Sequence, residues 1–191
     1  MGRANYTLLD RYLFSATIRR DGSSRFYEHW ANFPSFAFAW RINEEGFLKN
    51  AKNLSQLKLR LGWGMTGQQD GIGDYNYFAT YSEGTSSDSY YDLVGDGSLK
   101  RPNVYNTKLK WEATTTYNAG LDFGLWNNRL AISADYYYRK TTDLINTVTV
   151  AAGSNFRNYM TGNIGSLKNT GFEIQRRSPF RWIRQLPEHQ M

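Results

Sequence analysis

Two neighbouring segments of the chain predict a long β-hairpin whose two faces differ in polarity. A two-residue turn at Asn127-Asn128 places five apolar or aromatic pairs on one face: Leu125 with Leu130, Phe123 with Ile132, Leu121 with Ala134, Ala119 with Tyr136, and Tyr117 with Tyr138. The alternate pairs are small or polar: Gly124 with Ala131, Asp122 with Ser133, Gly120 with Asp135, Asn118 with Tyr137, and Thr116 with Arg139. Because side chains alternate across a strand, a single register sorts both strands at once. Each strand is on the order of 15 residues long, well above the mode of about 5–6 in globular sheets.

Long antiparallel strands that are apolar on one side, polar on the other and rich in tyrosine toward one end are typical of a membrane β-barrel wall. The segment 54–66 repeats this pattern, with Leu57, Leu59, Leu61, Trp63 and Met65 alternating with Lys58, Arg60, Gly62, Gly64 and Thr66. Lysine and arginine are costly in lipid, so the second set must face water. The sequence therefore predicts an all-β fold, an antiparallel transmembrane β-barrel segment.

The pattern predicts about six wall strands, at 6–20, 33–42, 54–66, 109–126, 129–143 and 163–174. Outer-membrane barrels have long external loops and short periplasmic turns. Starting from the tight turn as periplasmic, the connections 21–32, 67–106 and 142–160 fall outside, and the connector 44–53, with one helical turn, falls in the periplasm. Two short β-like pieces, near 75–81 and 89–94, predict a small hairpin within the longest loop.

Composition is compatible with a barrel. The hydrophobic fraction of 40% and the mean hydropathy of −0.63 are low, but half of each barrel strand faces a wet lumen. The chain contains no run of about 18 apolar residues, so no transmembrane helix is predicted. The aromatic fraction of 16% suits the aromatic girdles of barrels, and the absence of cysteine excludes disulfides and thiolate metal sites. Residues 1–5 do not form a signal peptide, so we expect the N-terminal part of an exported protein to be missing.

Charge is uneven along the chain. Of the net charge of +6, residues 176–191 carry half, with four arginines against one glutamate. The remainder has no concentrated basic face, so nucleic-acid binding is not expected. Because the alternation ends after Ile174, we interpret residues 1–175 as a partial barrel and 176–191 as an atypical basic tail, out of frame or disordered.

Several segments resemble successive barrel segments of SusC/RagA-type TonB-dependent transporters in residue identity, order and spacing. They are RRDGSSRF at 19–26, FPSFAFAWRI at 33–42, LKLRLGWGMTGQ at 57–68, LKWE at 109–112, TTTYNAGLDF at 114–123, DYYYRKTTDLI at 135–145, NIG at 163–165 and GFEI at 171–174. The resemblance covers roughly residues 5–175.

This resemblance implies a large plugged barrel of about 22 strands in the cell outer membrane. It implies import of oligosaccharides, or in some cases peptides, with a SusD-type surface lipoprotein as a lid and the TonB complex acting on an N-terminal plug. The chain departs from the pattern because it shows neither plug domain nor TonB-box segment, and about six strands cannot close a barrel. The expected function is therefore that of a fragment of an importer, surrounded by outer-membrane lipid and inactive alone.

The candidate substrate contacts are aromatic residues in the longest loop. Tyr90, Tyr91 and Tyr105 could stack on sugar rings, although simple packing of the loop is the favoured alternative. No catalytic, cofactor-binding or metal-binding residue is predicted. The 70–74 segment DGIGD lacks the acidic spacing of a calcium loop, and His29 and His189 lack companion zinc ligands.

Two rival interpretations remain open. Asp122 and Asp135 share one face and could suggest a glycosidase, but a carboxylate pair also needs a pocket, and solvation of a lumen wall is the favoured explanation. The basic residues Lys58, Arg60 and 139–140 are interpreted in the same way. A soluble β-sandwich that binds carbohydrate would instead require the apolar faces to be buried against a second sheet.

Overall fold

The computed structural model describes residues 1–48, 51, 53–84, 99–151, 153 and 158–177. Its strands are β1 Gly2–Leu8, β2 Tyr12–Gly22, β3 Trp30–Arg41, β4 Leu54–Gln68, β5 Tyr81–Gly84, β6 Leu99–Pro102, β7 Glu112–Leu125, β8 Leu130–Thr142, β9 Ile145–Thr149, β10 Tyr159–Asn163 and β11 Ser166–Arg177, with a 3-10 helix at Ile42–Glu44. Seven of them form one antiparallel sheet in the order β1-β2-β3-β4-β7-β8-β11, which we call the wall sheet. The all-β antiparallel fold class is thus confirmed.

Among the described residues, no helix has both the length and the apolar character needed to cross a bilayer.

The hairpin register predicted from the sequence is confirmed, because all ten predicted pairs between β7 and β8 are present. The Arg129 amide donates to the Trp126 carbonyl oxygen at 3.2 Å, and between them Asn127 and Asn128 have φ angles of 54° and 60°. A type I′ turn requires positive φ at both central residues, and asparagine adopts that region more readily than most residues. The turn chemistry and the face pattern therefore agree on one register.

The predicted first strand, 6–20, is wrong in extent, because it comprises two strands. The chain reverses at Leu9 and Asp10, whose φ angles are 52° and 53°, and the Arg11 amide donates to the Leu8 carbonyl oxygen at 3.1 Å. Leucine at positive φ is uncommon, so the turn has a weak sequence signal. Since Leu8 pairs with Tyr12, even-numbered residues keep the same face in both strands, and the alternation continues through the turn. Among the described residues, the sheet consequently has seven strands rather than about six.

The small hairpin in the longest loop is shifted relative to its predicted position. β5 pairs with β6, whereas residues 75–77 form a turn, with the Phe78 amide donating to the Tyr75 carbonyl oxygen at 2.9 Å. The predicted second piece, 89–94, lies outside the described residues. A further hairpin, β9 with β10, occupies part of the predicted loop 142–160, and the last wall strand begins at Ser166 rather than near 163.

The wall sheet has two chemically different faces. Its apolar face carries Leu57, Leu59, Leu61, Trp63 and Met65 of β4 with their cross-strand partners, and one row runs through Phe38, Leu61, Ala119, Tyr136 and Phe172. Its polar face carries the alternate residues, including Lys58, Arg60, Asn118, Asp122 and Asp135. The buried hydrophobic residues of the described chain lie in or next to the longer connections. They are Phe26, Phe33, Ile72 and Leu109.

The apolar face is uncovered in the described part of the chain. Leu61 and Leu121 are 43% and 41% exposed, and Phe172 and Ile174 are 64% and 65% exposed. A β-sandwich needs this face buried against a second sheet, so the sandwich interpretation is not supported. We call the end of the strands with the turns at 9–10 and 127–128 the turn end. The opposite end of the strands, where the longer loops emerge, is the loop end.

Candidate functional site: the polar face and the loop end

A charged network lies at the centre of the polar face. The Arg60 guanidinium donates from Nε to Asp122 Oδ2 and from Nη2 to Asp122 Oδ1, both at 2.9 Å. Nη2 also donates to Asp135 Oδ2 at 3.0 Å. Paired bonds of this kind fix both partners in orientation as well as in position. One arginine on β4 therefore holds carboxylates from β7 and β8.

Small residues make room for this network. The hydroxyl of Ser133 lies 2.8 Å from Asp122 Oδ1 and accepts from Arg60 Nη2 at 3.1 Å. A Cβ at position 120 would collide with the Asp135 carboxylate and the Arg60 guanidinium, so glycine lets the guanidinium approach the backbone of β7 closely. The polar pattern seen in the sequence thus corresponds to a cross-strand clamp over three strands.

The contacts of Asp122 and Asp135 with Arg60 argue against the glycosidase interpretation. Asp122 and Asp135 lie two residue pairs apart in the sheet and share Arg60 as a partner. A glycosidase instead uses one carboxyl group as a proton donor and the other as a base or nucleophile, on either side of a bound sugar. The geometry favours a role in stabilising the wall.

A second polar cluster lies at the turn end, around Glu45. Its Oε1 accepts from the Tyr12 hydroxyl at 2.6 Å and from Trp40 Nε1 at 3.0 Å, and its Oε2 accepts from Arg11 Nη1 at 3.0 Å. The rings of Tyr12 and Trp40 stack with centroids 6.1 Å apart. These bonds, first that from Tyr12 and then that from Trp40, lower the pKa of the Glu45 carboxyl below its ordinary value. Glu45 therefore joins the connector after β3 to the first hairpin.

Acidification is expected to weaken this turn-end cluster. Because the folded-state pKa of Glu45 is lowered, its contribution to stability is complete above the ordinary glutamate range and is lost as the pH falls through the lowered value. Replacing Glu45→Gln should reduce the loss of stability between pH 7 and about pH 3, measured by denaturant unfolding of the longer receptor. The matched control is Glu44→Gln, since Glu44 bonds only its neighbour Asn43 in the described structure. An unchanged pH dependence in Glu45→Gln would contradict this role.

A small apolar core joins the loops at the loop end. Phe26, Ile72 and Leu109 come from three different segments and are 0%, 5% and 2% exposed. The ring of Phe26 stacks on Trp111 with centroids 4.5 Å apart, and Trp111 Nε1 donates to the Glu28 carbonyl oxygen at 3.1 Å. We call this group the rim core, because it ties loops together beyond the wall strands.

Polar bonds support the rim core. Arg25 donates from Nε to Asp74 at 3.1 Å and from Nη1 to the Gln69 carbonyl oxygen at 2.9 Å. Phe33 packs against Gly67, where a Cβ would collide with its ring. The β3–β4 pairing ends at Ser35, one residue after Pro34, whose backbone has no donor. The strands therefore separate where Phe33 enters.

Truncating the rim core is expected to loosen the loops without disturbing the wall. Phe26→Ala should cost about 3–5 kcal/mol of local packing energy. Hydrogen exchange should accelerate in residues 69–80 and 103–111 and stay unchanged in β7 and β8. Phe78→Ala is the control, because Phe78 is 61% exposed. Equal acceleration in the wall strands would show that the rim core is not a separate unit.

The predicted loop aromatics are only partly placed by the structure. Tyr90 and Tyr91 lie outside the described residues. Tyr105 is half-buried and interacts with other residues. Their proposed contact with substrate therefore stays a prediction.

The sequence interpretation missed a different aromatic group at the loop end. The Tyr77 ring contacts Tyr27 and Phe78, with centroids 6.3 Å apart in each pair, and its hydroxyl lies 3.2 Å from His29 Nε2. Tyr27 and Phe78 are 65% and 61% exposed. The signal was the aromatic-rich run 75–78, but only the fold brings residues 27–29 beside it.

The structure also places the residues considered for metals. Asp74 bonds Arg25, and His29 bonds Tyr77, whereas His189 lies outside the described residues. In the part of the chain that the structure describes, no group of three or more His, Cys, Asp or Glu side chains is arranged to hold an ion.

Comparison with known proteins identifies the family to which the chain belongs. Residues 1–186 match the family described as TonB dependent receptor-like, beta-barrel. The chain is 51% identical over 181 residues to TonB-dependent receptor SusC of Bacteroides thetaiotaomicron, covering 91% of the chain and 17% of SusC. It is 38% identical over 174 residues to TonB-dependent receptor P39 of Formosa agariphila, covering 90% of the chain and 16% of that protein.

Structural comparison agrees. The RagAB peptide importer in its closed-closed state matches with a TM-score of 0.80 and 29% identity, covering 95% of this chain and 19% of that chain. The chain therefore spans less than a fifth of the length of these relatives. The chain belongs to the TonB-dependent receptor β-barrel family and, within it, is of the SusC/RagA type.

Proposed function

We propose that this chain forms part of the barrel wall of an outer-membrane importer that takes up oligosaccharides or peptides. The observation that carries the proposal is the two-faced wall sheet, with an uncovered apolar face and a clamp of charged residues on the other. Hydrocarbon stabilises the first face and water the second, and a transmembrane barrel supplies both solvents. Proteins of the TonB-dependent receptor family transport nutrients and are outer-membrane proteins.

The connection lengths support an orientation. The turns at 9–10 and 127–128 are tight, whereas the loops at the other end carry the rim core and two short hairpins. Outer-membrane barrels place short turns in the periplasm and longer loops outside. The loop end therefore faces the exterior and the turn end faces the periplasm.

The substrate and partners follow from the relatives and from the loop end. SusC and the RagAB peptide importer support a SusD-type lipoprotein as the partner. We place this lipoprotein at the loop end, where the exposed rings of Tyr27 and Phe78, packed against Tyr77, offer aromatic surface to substrate or partner. The TonB complex would act through a part of the receptor beyond this wall.

The 191-residue chain alone is not expected to transport. In the part of the chain that the structure describes, the wall sheet is open, with β1 and β11 as its edge strands. Unpaired backbone groups at a sheet edge are not tolerated in hydrocarbon, and they promote aggregation in water. Transport therefore requires the longer receptor, which continues the sheet to closure.

Uptake measurements test this proposal. Cells that lack the receptor should regain growth on the oligosaccharide or peptide when they carry the full-length receptor with its lipoprotein, and should not regain it with residues 1–191. Deleting the lipoprotein alone should reduce uptake at low substrate concentration. Uptake restored by residues 1–191 would refute the inactivity of the fragment, and a full-length receptor without effect on any such substrate would refute the import function.

A further inference from the structure

Two lysines lie directly opposite each other on the apolar face of the wall, close to the loop end. Lys140 of β8 pairs with Lys168 of β11, and both side chains are exposed. Lys140 shares its face with Tyr136 and Tyr138, because residues two apart point to the same side of a strand. The lumen-wall interpretation from the sequence is therefore wrong for Lys140, whereas Arg139 lies on the polar face as expected. Like charges placed directly opposite in an antiparallel sheet destabilise it. This pair therefore requires a compensating anion or full hydration.

Neither lysine forms an ion pair with a carboxylate in the described part of the chain. The described ion pairs near the loop end use Asp21 with Arg19 at 2.7 Å and Asp74 with Arg25 at 3.1 Å, and none includes Lys140 or Lys168. The neighbour of Lys140 on β7 is Thr115, a hydroxyl donor. The patch consists of two ammonium groups and a hydroxyl, which together suit an anion with several oxygen atoms.

The depth of the pair on the wall is defined by the aromatic residues beneath it. The rings of Tyr117 and Tyr138 have centroids 6.1 Å apart, one step along the same face toward the turn end. Aromatic girdles mark the borders of the apolar band in outer-membrane barrels. Lys140 and Lys168 therefore lie just beyond hydrocarbon, at the level of the outer-leaflet headgroups. Arg20, stacked on Trp30 at 5.0 Å, is another basic residue on this face near the loop end.

We propose that Lys140 and Lys168 bind a phosphate group of an outer-leaflet lipid. The inference rests on the proposed function, since it requires this face to contact the membrane. A phosphate between the two ammonium groups turns their repulsion into two charge-assisted hydrogen bonds. Lysine suits this position, because its aliphatic stem can lie along apolar surface while the ammonium reaches the headgroup.

Lipid binding to the full-length receptor tests the proposal. Native mass spectrometry of the purified receptor would measure its affinity for diphosphorylated lipid A and for the same lipid without phosphates. The double variant Lys140→Gln/Lys168→Gln should bind the phosphorylated lipid about 30-fold more weakly, at about 1 kcal/mol per basic residue near an anionic surface. Its affinity for the dephosphorylated lipid should be unchanged. Lys140→Arg/Lys168→Arg should retain binding.

The matched control is Arg139→Gln, which removes a positive charge from the adjacent residue on the polar face and should leave lipid affinity unchanged. Inorganic phosphate should not displace the lipid, and displacement at equal concentration would show a site for free phosphate instead. Equal affinity of the double variant and wild type, or of the two lipids, would overturn the proposal. If the wild-type receptor still inserts and transports, that result leaves the proposed function intact; a wild-type receptor absent from the outer membrane would instead overturn both.

Discussion

Replacing Leu121→Arg in the full-length receptor is expected to prevent most of it from assembling. Leu121 lies on the apolar face in the row with Leu59, Ala134 and Ile174, midway between the turn end and Tyr117. An arginine facing lipid near the bilayer midplane costs about 2–4 kcal/mol. Folded receptor in the outer membrane, detected by its heat-dependent migration on gels, should fall sharply, and the free energy of unfolding of the remainder should fall by this amount.

The control for Leu121→Arg is the same substitution on the other face of β7. Asn118 is exposed on the polar face, so Asn118→Arg should place its charge in water and change stability by no more than about 0.5 kcal/mol. The contrast between the two variants isolates the solvent that each face meets. Equal tolerance of both arginines would contradict a lipid-facing position for Leu121.

Removing Arg60 is expected to destabilise the wall next most strongly. Arg60→Ala would leave Asp122 and Asp135 close together without their shared cation. Breaking a buried pair costs about 3–5 kcal/mol, but the Arg60 side chain is 37% exposed, so solvent screening reduces the expected cost to roughly 1–3 kcal/mol. Denaturant unfolding of the receptor in detergent would measure it, and added salt should reduce the difference.

Two further variants separate the clamp from a general effect of charge. Arg139→Ala removes another arginine of the polar face and should cost less than about 0.5 kcal/mol. Combining Arg60→Met with Asp122→Asn and Asp135→Asn removes all three charges, and it should recover most of the stability lost in Arg60→Ala. If the triple variant were as unstable as Arg60→Ala, the unpaired carboxylates would not be the cause.

The sequence predicts the β7–β8 hairpin well because several signals agree there. The asparagine turn, the apolar pairs and the polar pairs all require one register, and a shift by one residue would move every apolar side chain to the polar face. The first hairpin is missed for the opposite reason. Its turn uses leucine at positive φ and preserves the alternation, so neither turn chemistry nor periodicity marks it.

The hydrogen bonds on the polar face could not be predicted from the alternation of polar and apolar residues. The sequence places Arg60, Asp122 and Asp135 on the water-facing side, but their clamp depends on register across three strands and on Gly120 beneath the guanidinium. The rim core likewise gathers residues 26, 72 and 109, which no local periodicity connects. The packing of loops that are distant in the sequence was therefore not predicted.

The lipid-facing wall that we propose requires hydrocarbon on one face of the sheet and water on the other. Single fluorophores at Leu61, Leu121 and Phe123 of the full-length receptor in bilayers, compared with fluorophores at Gly62 and Asn118, measure this directly. We expect lipid-borne quenchers to reach the first three fluorophores and water-soluble quenchers to reach the last two. Quenching of the first three from water, or shielding of all three from both quenchers, would contradict it.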